Sequence, residues 1–204
     1  MSSAEYFRWT PAPPTTLADI EGLRRDIWDA RDFFGRLKDS AGSADYLTLD
    51  ALASAAVIRY CRAFGSGSRT LRLNIDNLPD VSAEERATHE YIRDVRDKHV
   101  AHAVNAMETN DIYVCVALDS DGNPMVTAVS SGTATGIPLV AEVYERAHTL
   151  CGRWLGYLHE TSLEESARLL PIARQLSREE LSVLPRGPIE PSEDPKRRRP
   201  FNRT

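Results

Sequence analysis

The chain has 204 residues, of which 42% are hydrophobic and 27% charged, with a net charge of −5. That length supports one domain with a proper core and leaves little room for a second. The acidic balance excludes a surface that coats nucleic acid broadly, although a local basic cleft is compatible with it.

The longest apolar run, Ile112 to Leu118, falls far short of the roughly 20 residues a membrane helix needs. The opening MSSAEYFRWT lacks the apolar core of a signal peptide, so a cytoplasmic protein without membrane contact is expected. Cys61, Cys115 and Cys151 are odd in number, widely spaced and flanked by apolar residues. They read as buried free thiols rather than a disulfide frame or a zinc site.

In chain order, residues 1–14 form a flexible lead ending in the prolines Pro11 to Pro14. Ile20, Leu23, Ile27, Ala30 and Phe34 then recur at helical spacing, with Thr15 or Thr16 as the N-cap, and predict a helix over about 17–38. A second helix is expected from about Ala44 to Phe64, with Leu49, Leu52, Ala56, Val57 and Tyr60 as its stripe and Gly65 and Gly67 ending it. Leu71, Leu73 and Ile75 alternate, which predicts an extended connection or short strand. Its glycines do not make a phosphate-binding loop of the P-loop kind, since no strand precedes them and no lysine follows. Ser82 with Glu85 forms a capping box that opens a third helix, Ala83 to about Met107.

Two strands, Ile112 to Leu118 and Met125 to Val129, flank DSDGNP and make a hairpin within about 111–130. Asp119, Asp121 and Asn123 resemble a calcium loop only superficially, because Gly122 is misplaced and no glutamate closes it. Helical spacing resumes over Pro138 to His159, and Ser162 with Glu165 and Ser177 with Glu180 are expected to open two shorter helices around Pro171. Residues 185–204 carry five prolines and the cluster Lys196 to Arg199, which reads as a disordered basic tail. The domain proper is expected to span 15–184.

Glu90 to Asn105, EYIRDVRDKHVAHAVN, is the most informative stretch. Advancing about 100° per residue from Tyr91, Tyr91, Val95, Ile92 and Ala103 mark an apolar face. His102, His99 and Arg96 fall among them at about 20°, 80° and 140°. Charged groups interleaved with apolar ones on an inward or partner-facing side must find partners, because an unpaired buried charge costs several kcal/mol. Arg93 with His99, Arg96 with His102 and Arg153 with His159 share one spacing. Arg153 is followed by Trp154, which looks like packing, whereas Arg96 and His102 both lie on the mixed face.

RDKHVAH, Arg96 to His102, resembles the motif of HEPN domains, in which an arginine followed by a polar residue precedes a histidine by four to six intervening residues. YCRAFGSG, Tyr60 to Gly67, is also similar to what bacterial members carry. The resemblance covers about residues 17–160. It implies a mainly α fold, a HEPN-like bundle of four to six helices with one inserted β-hairpin. It implies as well a metal-independent endoribonuclease, a toxin or phage-defence effector held inactive by a partner or antitoxin.

On that resemblance Arg96 is the phosphate clamp, His102 the general acid/base and Asp97 the polar residue that orients them. The resemblance fixes no role for His99, but its place between Arg96 and His102 on the helix makes it a candidate second proton-transfer group. The chemistry suits these residue types. A histidine near neutral pKa can take the proton of an RNA 2′-hydroxyl or protonate the leaving oxygen, and a planar guanidinium can stabilise charge on the phosphate. The motifs of two protomers meet in this family, so a homodimer is expected, with RNA as substrate and neither cofactor nor resident metal.

Two other readings compete. Arg96 can pair with an acidic residue on a neighbouring helix while His99 and His102 bond backbone carbonyls, giving a catalytically silent scaffold for dimerisation or protein binding. A metal could sit between His99 and His102 with His89 or Asp94, but His89 lies about 80° from His99 around the helix and no HExxH occurs.

Overall fold

The computed structural model describes residues 7–9, 16–40, 42, 44–65, 69–100, 108–135 and 141–187, with the side chains of 99, 100, 108–110, 134 and 135 left aside. The described chain is mainly helical, with one two-stranded antiparallel sheet. Its helices are α1 (Leu17–Ser40), α2 (Tyr46–Arg62), α3 (Ala83–Val95), α4 (Ala141–Ala173) and α5 (Arg178–Ser182). The strands are β1 (Glu108–Leu118) and β2 (Pro124–Thr135). None of these helices is long and apolar enough to cross a membrane. Two compact units result, one of Thr16–Ser166 and one combining Met1–Thr15 with Ala167–Thr204.

The larger unit is built from amphipathic stripes. On α1, Ile20, Leu23, Ile27, Ala30, Phe34 and Leu37 are buried, the spacing of one helical face. Ala53, Ala56, Val57 and Tyr60 of α2 and Ile92 and Val95 of α3 meet them. Val143, Ala147, Leu150, Trp154 and Leu158 of α4 complete the core. Each of the larger aliphatic or aromatic side chains among these, the alanines apart, stabilises the fold by about 1.5–3 kcal/mol on burial.

Asp45, rather than Ala44, starts α2, its carboxylate accepting the Thr48 amide at 3.0 Å. Residues 69–81 bury Leu73 and Ile75 as the alternation predicts, yet form no strand. Their backbone groups are satisfied otherwise. The Asp19 carboxylate accepts the Thr70 and Leu71 amides, Leu73 donates to Ala63 O, and Asn74 caps a 3-10 turn over Ile75–Asn77.

The Ser82 and Glu85 capping box forms as read from the sequence. That of Ser162 does not. No glycine or proline separates His159 from Ser162, so α4 continues unbroken, and the Ser162 hydroxyl instead donates to Glu21 Oε1 at 2.8 Å. Pro171 sits in the last turn of this helix, which ends two residues later at Ala173 rather than before the proline.

The hairpin is longer than the alternation suggested, running from Glu108↔Thr135 to Leu118↔Pro124 with a register shift between Cys115 and Val116. Its turn is held by Asp119 Oδ1, which accepts the Asp121 and Asn123 amides at 2.9 Å each. Gly122 follows at φ 81°, where a Cβ would be strained. Both faces of the hairpin are exposed, and Cys115 with them, so of the three cysteines only Cys151 is fully buried. In the smaller unit, Phe7 bridges Arg186 in antiparallel fashion and a Ser177 capping box opens α5.

Candidate functional site

Helix α3 begins with two acidic residues in its first turn, Glu84 and Glu85, on the favourable side of the helix dipole. Its inward face carries Thr88, His89, Ile92 and Val95. Beyond Val95 the α-helical ladder widens, and RDKHV, Arg96–Val100, takes π-helical geometry. Single π turns inside helices are rare and occur frequently at functional sites.

Arg96 opens this turn while still on the regular ladder, its amide donating to Ile92 O, and its side chain faces solvent. Its side chain is 54% exposed, and its described partner is Asp97, whose carboxylate is 51% exposed. The hydrogen bond from Arg96 Nη1 to Asp97 Oδ1 spans 2.5 Å. This pairing, with the attraction of the Asp97 charge, pushes the guanidinium's already high pKa further up, so Arg96 carries its charge throughout the accessible pH range. Lys98 pairs with Asp94 at 3.1 Å on the solvent side.

These positions alter one sequence expectation. Arg96 is not enclosed among Tyr91, Ile92 and Val95, and no neighbouring helix supplies a carboxylate to it among the described residues. Asp97 pairs with Arg96, while Arg93, which also precedes an aspartate, is exposed without an ion pair among the described residues. Of the four site residues read from the sequence, Arg96 and Asp97 are brought together. His99 lies in the π turn with its side chain outside the described set, and His102 falls in 101–107, also outside it.

His89 plays another part than the sequence suggested. It is 4% exposed, its Nδ1 is 3.0 Å from the Tyr60 hydroxyl, and its ring meets Phe64 edge-on at 4.6 Å between centroids. Burial, followed by repulsion from Arg93 and Arg86, pushes its pKa down to about 4, so it is neutral at pH 7. Burial holds Tyr60 protonated far above its usual range. The buried Trp154 indole N–H opposes this shift without making a full hydrogen bond to the phenol oxygen. Sequence periodicity registered Tyr60 as core. It could not pair it with His89, because their contact joins two helices.

Cys61, next to Tyr60, approaches Ile92 O at 3.8 Å. Burial raises its thiol pKa to about 12 against the pull of Arg96 and Arg93, which keeps it an un-ionised thiol. Arg153, the third arginine with the shared spacing, is structural. Its Nη1 reaches both Glu85 oxygens at 2.6 Å, and its Nη2 also bonds Pro79 O. Among the described residues no three of His, Cys, Asp or Glu gather as a metal site would require.

A mainly helical protein with an exposed Arg–Asp pair on a π turn is the class these features define. Comparison of the chain with models of known families, with curated proteins and with solved structures gives no match.

Proposed function

We propose that the chain is a HEPN-type, metal-independent endoribonuclease whose site is completed by a second copy. The observation that carries this reading is the state of Arg96, a charged guanidinium on an exposed π turn, bound only to its sequence neighbour among the described residues. A structural arginine would be committed to another element, as Arg153 is to Glu85. Arg96 instead has donors left for a phosphate.

In the proposed reaction His102 removes the proton of a 2′-hydroxyl, whose oxygen attacks the adjacent phosphorus. The P–O5′ bond breaks, and the leaving oxygen takes a proton from a second group, His99 or the partner copy's histidine. Arg96 stabilises the negative charge on the non-bridging oxygens, and Asp97 fixes the plane of the guanidinium. The products are a 2′,3′-cyclic phosphate and a 5′-hydroxyl. The resemblance extends the reading to a toxin or defence effector restrained by a partner protein.

RNA end-labelled and incubated with the protein in EDTA should be cut, leaving cyclic phosphate ends, and His102→Ala should abolish the cut while leaving the fold intact. Cleavage that vanishes in chelator and returns with Mg²⁺ or Zn²⁺, or that survives His102→Ala, would overturn the assignment.

A second reading, a catalytically silent scaffold, draws on the hairpin. Val114, Val116 and Leu118 face Val129, Val126 and Pro124 across the strands, Ile112 lies opposite Ser131, and six large apolar side chains there are more than half exposed. An isolated two-stranded sheet is marginally stable in water, and an apolar face of this size marks a docking surface. Absence of cleavage by a wild type that self-associates through this face would favour it.

A further inference from the structure

Asp26 lies on the flank of α1 that faces α2, with its side chain only 2% exposed. Three arginines converge on it: Arg59 Nη1 at 3.1 Å, Arg62 Nε at 3.5 Å and Arg69 Nη2 at 2.7 Å. Arg69 makes a close ion pair without the alignment of a hydrogen bond. One turn on, Asp29 pairs with Arg25 at 2.9 Å and with Arg59 at 3.4 Å. Four guanidinium groups thus share two carboxylates. A rivet between α1 and α2 needs one arginine. Each additional like charge around the same carboxylate is repelled by about 1 kcal/mol or more at partly screened distances, so the cluster is poised for another anion.

The cluster is positioned rather than loosely gathered. Arg69 crosses α1 at Gly22, where a Cβ would come within 3.0 Å of its Nε, and the Asp19 carboxylate pins the adjoining Thr70 and Leu71 amides. The three side chains remain 37%, 53% and 26% exposed for Arg59, Arg62 and Arg69. Arg62 engages Asp26 through Nε, which leaves its two Nη groups for an outside acceptor. Planar guanidinium forks of this kind match the tetrahedral oxygens of a phosphate better than a lysine would.

We propose that Arg59, Arg62 and Arg69 form a phosphate-binding site at the C-terminal end of α2, with Asp26 as the buried anchor that splays them. Cys61, beside Arg62 in the chain, packs on α3 and feels the charges of Arg96 and Arg93. In the RNA form of the inference a phosphodiester chain engaged at Arg96 meets this second set of cations as well. The RNA form of the inference rests on the ribonuclease reading, whereas the phosphate chemistry does not.

Two probes separate these cases, each applied to the full chain as wild type, Arg62→Ala, Arg62→Glu and the surface control Arg36→Ala, with circular dichroism to confirm the fold. The first is inorganic pyrophosphate, read as the rise in melting temperature over chloride at equal ionic strength. The second is a fluorescent single-stranded RNA 12-mer, read as the slope of log affinity against log salt. The site predicts that pyrophosphate raises the wild-type melting temperature and that Arg62→Glu removes the rise. It predicts further that Arg62→Ala lowers the RNA salt slope by about 0.7, one phosphate contact on a single strand, with Arg36→Ala unchanged. An Arg62-dependent pyrophosphate effect without RNA binding supports a site for free phosphate groups and sinks the RNA reading alone. An Arg62-dependent RNA slope without a pyrophosphate effect supports backbone recognition. If both Arg62 variants behave as wild type toward both probes, or neither probe binds the wild type, the arginines are only a structural rivet and the proposal falls.

Discussion

The Tyr60 hydroxyl on α2 and His89 Nδ1 on α3 share a hydrogen bond of 3.0 Å inside the helical core. Tyr60 is 0% and His89 4% exposed, so the bond forms where either polar group alone would be costly. It ties α2, which contains Tyr60, to α3, which leads into the turn at Arg96, and burial with the charges of Arg93 and Arg86 holds the imidazole neutral.

Stability should therefore fall as the pH drops from about 6.5 toward 4. The folded pKa of His89 is lowered from 6.5 to about 4, so in that window the unfolded chain binds a proton that the folded chain refuses, and stability rises with pH. The effect is about 2–3 kcal/mol, complete above the unfolded pKa and lost by the folded one. Denaturant midpoints from pH 7 to 4.5 should drop for the wild type and drop clearly less for His89→Gln, which keeps only the contribution of the same sign from His148, whose pKa burial also lowers. A parallel drop in both would assign the effect to other groups. Asp45 and Asp119, whose pKa values are lowered by hydrogen bonds from Thr48 and from Asn123 and Asp121, contribute only at lower pH.

Tyr60→Phe should cost about 1–3 kcal/mol, since it strands His89 Nδ1 without adding a cavity. The double variant Tyr60→Phe with His89→Leu should recover part of that loss, because both polar partners are then gone. A double variant whose cost equals the sum of the two single changes would mean the hydrogen bond carries no coupling.

Asp26→Ala should be among the most damaging single changes on α1, at about 2–4 kcal/mol, because it leaves Arg62 and Arg69 without their carboxylate and Arg59 with Asp29 alone. Arg62→Ala should cost under about 1 kcal/mol, as expected for a half-exposed member. Equal losses for the two, measured by urea denaturation, would show that Asp26 is not the hub of the cluster.

How much of this was legible in the chain differs by kind of interaction. The stripe Ile20, Leu23, Ile27, Ala30 and Phe34 and the boxes Ser82/Glu85 and Ser177/Glu180 are local patterns, and they fold as such. Ser162/Glu165 shares the same letters, but without a breaker before it the helix simply continues. The hub at Asp26 depends on residues 33 to 43 positions away, and no period announces it. Arg96 was read by helical angles as part of the inward face, but angle alone does not tell that, among the described residues, no neighbouring element encloses it at the C-terminal end of α3. The spacing that singled it out holds for Arg93 and Arg153 too, and only their surroundings separate an arginine clamped by Glu85 from two that face solvent.

Those surroundings define the last prediction. Arg93 and Arg96 are both exposed, so replacing either by alanine should change stability by no more than about 0.5 kcal/mol. The loss of an ion pair between adjacent, half-exposed residues adds little for Arg96. Their effects on RNA cleavage should differ. Arg96, oriented by Asp97 on the π turn, should lose about a hundredfold in rate on removal, roughly 3 kcal/mol of transition-state stabilisation. Arg93, a turn earlier on the regular helix, should lose little. Asp97→Asn should fall between them, since it frees the guanidinium without removing it. Melting temperatures and single-turnover cleavage rates for the three variants and the wild type form one experiment. Equal loss of cleavage in Arg93→Ala and Arg96→Ala would reduce both to a general positive field, and a marked drop in the melting temperature of Arg96→Ala would return that residue to a structural role.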